Sequence, residues 1–152
     1  LGHPDRSPKV GARLSGARGA LTGRPGATLE LITSESWTIE AGQSAARELA
    51  ARAPAQRPTA VLCANDMLAL GLEQQLLRDG IQVPGDVAIV GYDDLMWASA
   101  ASVPLTTVRQ PRQVLGRTAV DMIMELLAGP ETGAARRNHV VLQPELVTRE
   151  SA

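Results

Sequence analysis

PTAVLCANDMLALGLEQQLLRDGIQVPGDVAIVGYDD, running from Pro58 to Asp94, decides how this chain folds. It opens with Ala60-Val61-Leu62-Cys63-Ala64, an apolar run too short for a helix and bounded by Pro58 and by Asn65-Asp66. Such a run predicts a strand buried on both faces. Leu68, Leu72 and Leu76 then recur at spacing four, with Met67 and Leu77 beside them, so an amphipathic helix follows. Asn65 or Asp66 is placed to cap its first turn, Gly80 supplies a left-handed stop, and Pro84 prevents resumption. A second apolar run, Val87-Ala88-Ile89-Val90, ends in Gly91-Tyr92-Asp93-Asp94. The three elements make one β-α-β unit, for which a right-handed crossover is expected. Both strands end in polar residues, and the C-terminal edge of an open α/β sheet is where ligands bind.

Outward from this unit, the N-terminal side repeats the alternation. Ser7-Pro8 marks a helix start, and Val10, Leu14, Ala17 and Leu21 give that helix one apolar face, ended by Gly23, Pro25 and Gly26. Thr28 to Thr33, TLELIT, reads as a strand leading into a polar loop, Ser34-Glu35-Ser36-Trp37. Ile39 to Arg52 carries Ala45, Ala46, Leu49 and Ala50 on one face and reads as a helix, with Ala53 to Arg57 as connector. On the C-terminal side, Leu95 to Pro104 is small and apolar without a clear period, and Leu105 to Gln110 reads as a strand. Pro111 opens a helix whose stripe is Leu115, Ala119, Met122, Ile123 and Leu126; Gly129-Pro130 stops it, and a polar loop spans Glu131 to Asn138. His139 to Thr148 reads as two short strands hinged at Pro144. Strands alternating with helices argue for an α/β fold, a Rossmann-like, open, mostly parallel sheet with helices on both faces.

Composition sets the outer limits. At 152 residues the chain has the size of one ordinary domain, and 44% hydrophobic with 20% charged residues describes a globular protein. No apolar run approaches the roughly 18 residues of a membrane span, and Leu1 onward shows no signal-peptide pattern. The lone Cys63 excludes an internal disulfide and fits a reducing compartment. A net charge of −1, from 15 basic and 16 acidic residues, gives no electrostatic footprint for nucleic acid. With two Trp, one Tyr and no Phe, the core is aliphatic.

Three motifs in order, AVLCANDMLALG, VPGDVAIVGYDD and PLTTVRQP, over Ala60 to Pro111, resemble the lac-repressor/ribose-repressor family of bacterial transcription regulators. The match is to the C-terminal part of that family's effector-binding, periplasmic-binding-protein-like domain. Ala12-Arg13-Leu14-Ser15-Gly16 resembles the family's helix signature, and Pro144-Glu145-Leu146-Val147 its closing strand. The resemblance implies that residues 1–110 and 144–152 form the C-terminal effector-binding subdomain, its first strand truncated: Leu1-Gly2-His3-Pro4 resembles the end of that strand followed by its ligand-facing loop. It implies that residues 111–143, a helix and a strand, belong to an N-terminal subdomain whose body is absent here. It further implies a cytoplasmic homodimer that senses a small polar metabolite, a sugar in the first instance, between two subdomains. DNA would be met only through a helix-turn-helix that this chain does not contain, with no membrane and no cofactor.

Asp93, a carboxylate at a strand end, suits two hydroxyls of a polyol; a loop carboxylate capping the next segment is the bland reading. Asn65 offers donor and acceptor to a ligand hydroxyl, and a helix cap is the other role open to it. Asp66 is assigned to the cap and the first-turn dipole. Arg13 matches the family's helix arginine and would make a forked contact to ligand oxygens; a solvated helix arginine is the alternative. Trp37 either stacks on a sugar face or plugs the cleft wall. Lys9, one turn before Arg13, is a weaker candidate.

For the dimer, the resemblance points to Leu70 and Gln74 on the helix after Asn65-Asp66, and to Met96, Trp97 and Ala100 to Val103 in the loop after Asp94. The competing role for Trp97 is to close this subdomain's own core. The stripe on the Pro111 helix is too apolar to remain in water, so it is expected to fold back on this chain or to dock on a second copy.

Cys63 reads as a core residue, and His3 and His139 lack metal-ligand spacing. No phosphate loop and no G-x-S-x-G elbow is present, so no catalytic residue is assigned. Two other classes compete: a solute-binding protein of sugar transport, and a small metal-dependent enzyme using Asp93 and Asp94, although neighbours on a strand point to opposite faces.

Overall fold

A computed structural model describes residues 1–3, 7–127 and 139–152. The elements are α1 (Pro8–Leu21), α2 (Ile39–Ala50), β1 (Ala60–Leu62), α3 (Asp66–Arg78), β2 (Ala88–Val90), β3 (Thr107–Arg109), α4 (Arg112–Leu127) and β4 (Glu145–Val147), with 3₁₀ turns at Pro54–Gln56 and Met96–Ala100. β1 and β2 pair in parallel with Val61 opposite Ile89, and a parallel bridge from Val90 to Thr106 extends the sheet toward β3. β3 and β4 form an antiparallel ribbon, Val108 opposite Leu146. The architecture is the α/β, Rossmann-like fold that the strand–helix–strand pattern predicts.

Local chemistry sets the helix ends. Asn65 is extended and its side chain accepts from the Leu68 N–H, so it, rather than Asp66, is the N-cap of α3. Thr38 does the same for α2 through the Ala41 N–H. Ser7 occupies the N-cap position of α1 with Pro8 next, but its side chain makes no capping bond. Gly80 stops α3 at φ +76°.

The core is the α2–α3 layer on the sheet: Leu49, Leu68, Leu72, Leu76, Val87, Ile89 and Leu105 are all fully buried. Glycine sets how closely these two helices approach. A Cβ on Gly42 would strike the Leu68 carbonyl, and one on Gly71 would strike that of Ile39. α3 is buried beyond its Leu68-Leu72-Leu76 stripe, with Leu70 and even Glu73 inside.

Several expectations are corrected. β1 is covered on one face only: Val61 is buried, but Leu62 is 45% exposed. Leu62 faces an open cavity of about 660 Å³ that is also lined by Leu14, Leu31 and Ala60. From α1 the cavity is lined by Val10, Arg13, Leu14, Ala17 and Leu21, and only Val10 of that helix is buried. TLELIT makes no strand. Its neighbour is Leu1-Gly2, whose Gly2 N–H bonds the Ile32 carbonyl at 3.0 Å, and two residues are too short to propagate a ladder. Of the two strands expected in His139 to Thr148, only β4 forms. Of the stripe expected on α4, Leu115, Ile123 and Leu126 are each more than half exposed, and among the described residues no side chain of α4 is buried. The expected stop at Gly129-Pro130 and the loop from Glu131 fall outside the described residues.

Cys63 is buried in the core, and burial pushes its thiol up to about 12, which leaves it unreactive at neutral pH. No helix among the described residues is long and apolar enough to cross a membrane.

Candidate functional site

The C-terminal edge of the sheet gathers one connected row of side chains. Arg13 reaches over from α1 and donates from Nη1 to the carbonyl of Ala64, just past β1, at 2.8 Å. Its guanidinium carbon lies 3.4 Å from the centroid of the Tyr92 ring, just past β2. This stack fixes the guanidinium plane and leaves other N–H groups of the fork for a further acceptor. The Tyr92 carbonyl in turn accepts from the Asp66 N–H at 2.8 Å, joining the two strand ends.

Next along the edge, Asp93 accepts from Gln110 Nε2 at 2.8 Å, and its own N–H bonds the Val108 carbonyl at 3.0 Å. Asp93 and Asp94 both hold positive φ, +112° and +51°. Two consecutive non-glycine residues in that region are uncommon, and such geometry clusters at functional sites. The turn aims the two carboxylates at different partners. Asp94 is gripped by Arg109 Nε at 2.6 Å and Arg149 Nη2 at 2.7 Å. Burial acts to raise its carboxyl, but the Arg149 and Arg109 bonds outweigh this and hold it below its ordinary value. With two guanidiniums on it, this carboxylate is engaged by cations already. Among the described residues no cluster of three or more His, Cys, Asp or Glu is arranged to hold a metal ion.

On the other flank, Asn65 is engaged at both ends of its amide: Oδ1 accepts from Leu68, and Nδ2 donates to the Trp37 carbonyl at 3.1 Å. The cap is therefore real, and the same residue anchors the loop that carries Trp37, whose side chain is exposed. Lys9 is exposed on the first turn of α1.

Asp66 is not a first-turn surface charge. It is fully buried, with Oδ1 accepting from Thr107 Oγ1 at 2.6 Å and Oδ2 from the Leu95 N–H at 2.7 Å. Burial pushes its carboxyl up, against the pull of those two bonds. Tyr92 and Gln110 are the site residues that sequence reasoning missed. A register count finds Gln110: the bridge from Val90 to Thr106 sets Asp93 and Asp94 beside Gln110 and Arg109.

Away from the edge, Trp97 is 57% and Met96 74% exposed, so Trp97 does not close this chain's own core. Leu70, expected at a dimer surface, is only 5% exposed and belongs to the core. Gln74 is half-buried and accepts from Gln43 Nε2 at 3.3 Å.

The model of the periplasmic binding protein-like domain matches residues 1–152. The arabinose metabolism transcriptional repressor of Geobacillus stearothermophilus is 36% identical over 123 residues, 81% of this chain and 33% of the repressor. The HTH-type transcriptional repressor PurR of Vibrio campbellii is 34% identical over 143 residues, 91% of this chain and 40% of PurR. Among solved structures, the lac repressor dimer bound to operator and the anti-inducer ONPF superimposes with a TM-score of 0.79 at 31% identity, over 94% of this chain and 48% of that one. The complex of the transcriptional regulator CelR with cellobiose gives 0.77 at 35%, over 92% and 42%. The chain thus spans less than half the length of each of these four relatives.

Proposed function

This chain belongs to the periplasmic binding protein-like domain family, in the form carried by lac-repressor-type regulators, and from that premise we propose that it is one wall of a sugar-sensing cleft. The observation that carries the reading is the Arg13–Tyr92 stack set beside the Asp93–Gln110 pair on the C-terminal sheet edge. A sugar presents hydroxyls that both donate and accept. Asp93 takes two donated hydrogen bonds, and the free N–H groups of Arg13 serve the hydroxyl acceptors. Trp37 supplies a flat apolar face for the ring, and Asn65 contributes by holding that loop to the edge. A cleft needs a second wall. On this proposal residues 1–110 and 144–152 form the subdomain carrying the site, and residues 111–143 pack in the opposite one, which explains the uncovered stripe of α4.

Function then follows by population shift: a ligand touching both walls favours the closed arrangement by its differential affinity. The regulator would work in the cytoplasm as a homodimer, through Trp97 and Met96 with Gln74 at the margin, and would meet DNA through a separate helix-turn-helix. CelR was solved with cellobiose, which makes small saccharides the ligands to try. A crystal structure of the full-length gene product grown with arabinose, glucose, sucrose or cellobiose tests the site. Sugar hydroxyls within hydrogen-bond reach of Asp93 and Arg13 support it; a sugar seated elsewhere on the molecule overturns it.

A further inference from the structure

We propose that Asp94 is a positioning residue, a clamp that fixes the direction in which α4 leaves the sheet and through which a ligand at Asp93 is felt there. The two-residue turn Asp93-Asp94 touches β3, the start of α4 and the segment just past β4. The Asp94 N–H points at Thr107 Oγ1 at 3.4 Å, and the carboxylate holds Arg109 of β3 on one oxygen and Arg149, two residues past β4, on the other. Its carbonyl accepts from Arg112 Nη2, the first residue of α4, at 3.1 Å. Arg149 also donates to the Leu105 carbonyl at 2.7 Å, which ties the exit strand to the entry strand. These bonds converge on the Asp93-Asp94 turn, whereas among the described residues α4 buries no side chain. Within the described residues the direction in which α4 starts is therefore set by the clamp.

The coupling follows from adjacency along two facing segments. Asp93 holds Gln110 and Asp94 holds Arg109, so consecutive residues on one side grip consecutive residues on the other. Gln110 is two residues from the start of α4, and its backbone carbonyl accepts from the Arg112 N–H at 2.8 Å. If Asp93 turns to ligand hydroxyls, Gln110 is released while Arg109 stays fixed by Asp94. The displacement is then taken up at Gln110-Pro111 and swings α4 about the clamp. Positive φ at both aspartates makes the turn a strained, discrete conformation rather than a soft one. The clamp rests on this geometry alone; the coupling also rests on reading Asp93 as the ligand contact.

The test is a pair of spin labels on exposed positions of the full chain, Arg47→Cys on α2 and Arg117→Cys on α4, read as a distance distribution by pulsed EPR. The buried Cys63 is replaced by Ala in every sample. With Asp94 intact one narrow distance is expected. Asp94→Asn, or Arg109→Gln should that variant fail to fold, is expected to broaden it. A distribution that stays narrow in both Asp94→Asn and Arg109→Gln overturns the clamp. Cellobiose and arabinose are then added at saturation to the full-length gene product. A sugar-driven shift that is lost in Asp94→Asn, with affinity retained, supports the coupling; a shift that persists overturns it. Absence of binding to the unmodified protein counts against the sugar site itself, and the clamp is then judged on the width alone.

Discussion

Thr107 donates its hydroxyl to the buried carboxylate of Asp66 at 2.6 Å, joining the first turn of α3 to the crossover strand β3. The other Asp66 oxygen accepts from Leu95, so one carboxylate fastens helix, strand and the loop that carries Trp97. Removing one partner of a buried bond leaves the other unsatisfied, which costs more than the bond is worth. Thr107→Val is expected to destabilise the chain by about 1–3 kcal/mol, and Asp66→Ala by more, because it orphans both Thr107 and the Leu95 N–H. Urea unfolding measures both. Equal stability of Thr107→Val and the parent would show that the pair does not hold these elements.

Gly71 and Gly16 make a contrasting pair of glycines. A Cβ on Gly71 meets the backbone of α2, with the Gln43 nitrogen 3.0 Å away, while one on Gly16 meets nothing within 4 Å. Gly71→Ala must push α2 off α3, and a loss of about 3 kcal/mol or more is expected. Gly16→Ala, on the open face of α1, should gain roughly 0.5–1 kcal/mol. Thermal melts of the two variants read both signs at once; a Gly71→Ala variant as stable as the parent contradicts the helix packing.

These two pairs also mark what the sequence can and cannot say. The strand–helix–strand unit is legible because its apolar runs, the Asn65 cap and Gly80 are local signals, and β1, α3 and β2 fall where those signals place them. Glu73 and Asp66 are not legible: a charged residue on a helix reads as solvated, and its burial is decided by segments about 30 or more residues away, Val103 for one and Thr107 for the other. Leu70 is likewise buried at a position outside the Leu68-Leu72-Leu76 stripe that the periodicity marks. TLELIT has strand composition, but a strand exists only with a partner, and Leu1-Gly2 offers too little edge. Among the site residues, Asp93 and Arg13 are found by position and motif; Gln110 requires the sheet register.

Glu73 gives a pH signature. It is fully buried, with one oxygen accepting from the Val103 N–H at 2.7 Å and the other without a hydrogen-bond partner. Burial pushes its carboxyl up, opposed by the Val103 bond. A carboxyl raised in the folded state favours folding while protonated, and that contribution is lost as pH rises past its ordinary range of about 4–5 toward neutrality. Glu73→Gln keeps the acceptor for Val103 and cannot ionise. The variant is therefore expected to gain stability relative to the parent between about pH 5 and 7, measured by urea unfolding at each pH. A stability difference that does not change with pH contradicts the account of this group.

Trp97 and Met96 stand out from a 3₁₀ turn whose only buried residue is Ala98. An exposed aromatic on a small apolar patch is a reasonable anchor for an isologous contact, which uses one self-complementary surface twice. Trp97→Glu is expected to shift the chain from dimer to monomer in light scattering without lowering its melting temperature. A parent chain that remains monomeric at high micromolar concentration would remove this surface as an autonomous interface.

The central claim is that the C-terminal sheet edge binds a sugar, and calorimetric titration of the full-length gene product tests it most directly. Arabinose, glucose, sucrose and cellobiose are titrated into the parent, Arg13→Ala and Asp93→Ala. With the tightest sugar of the set, each substitution removes a hydrogen bond to a charged group and is expected to weaken binding about 10- to 150-fold, or roughly 1.5–3 kcal/mol. Affinity for that sugar unchanged in both variants would contradict the assignment of this edge as the binding site.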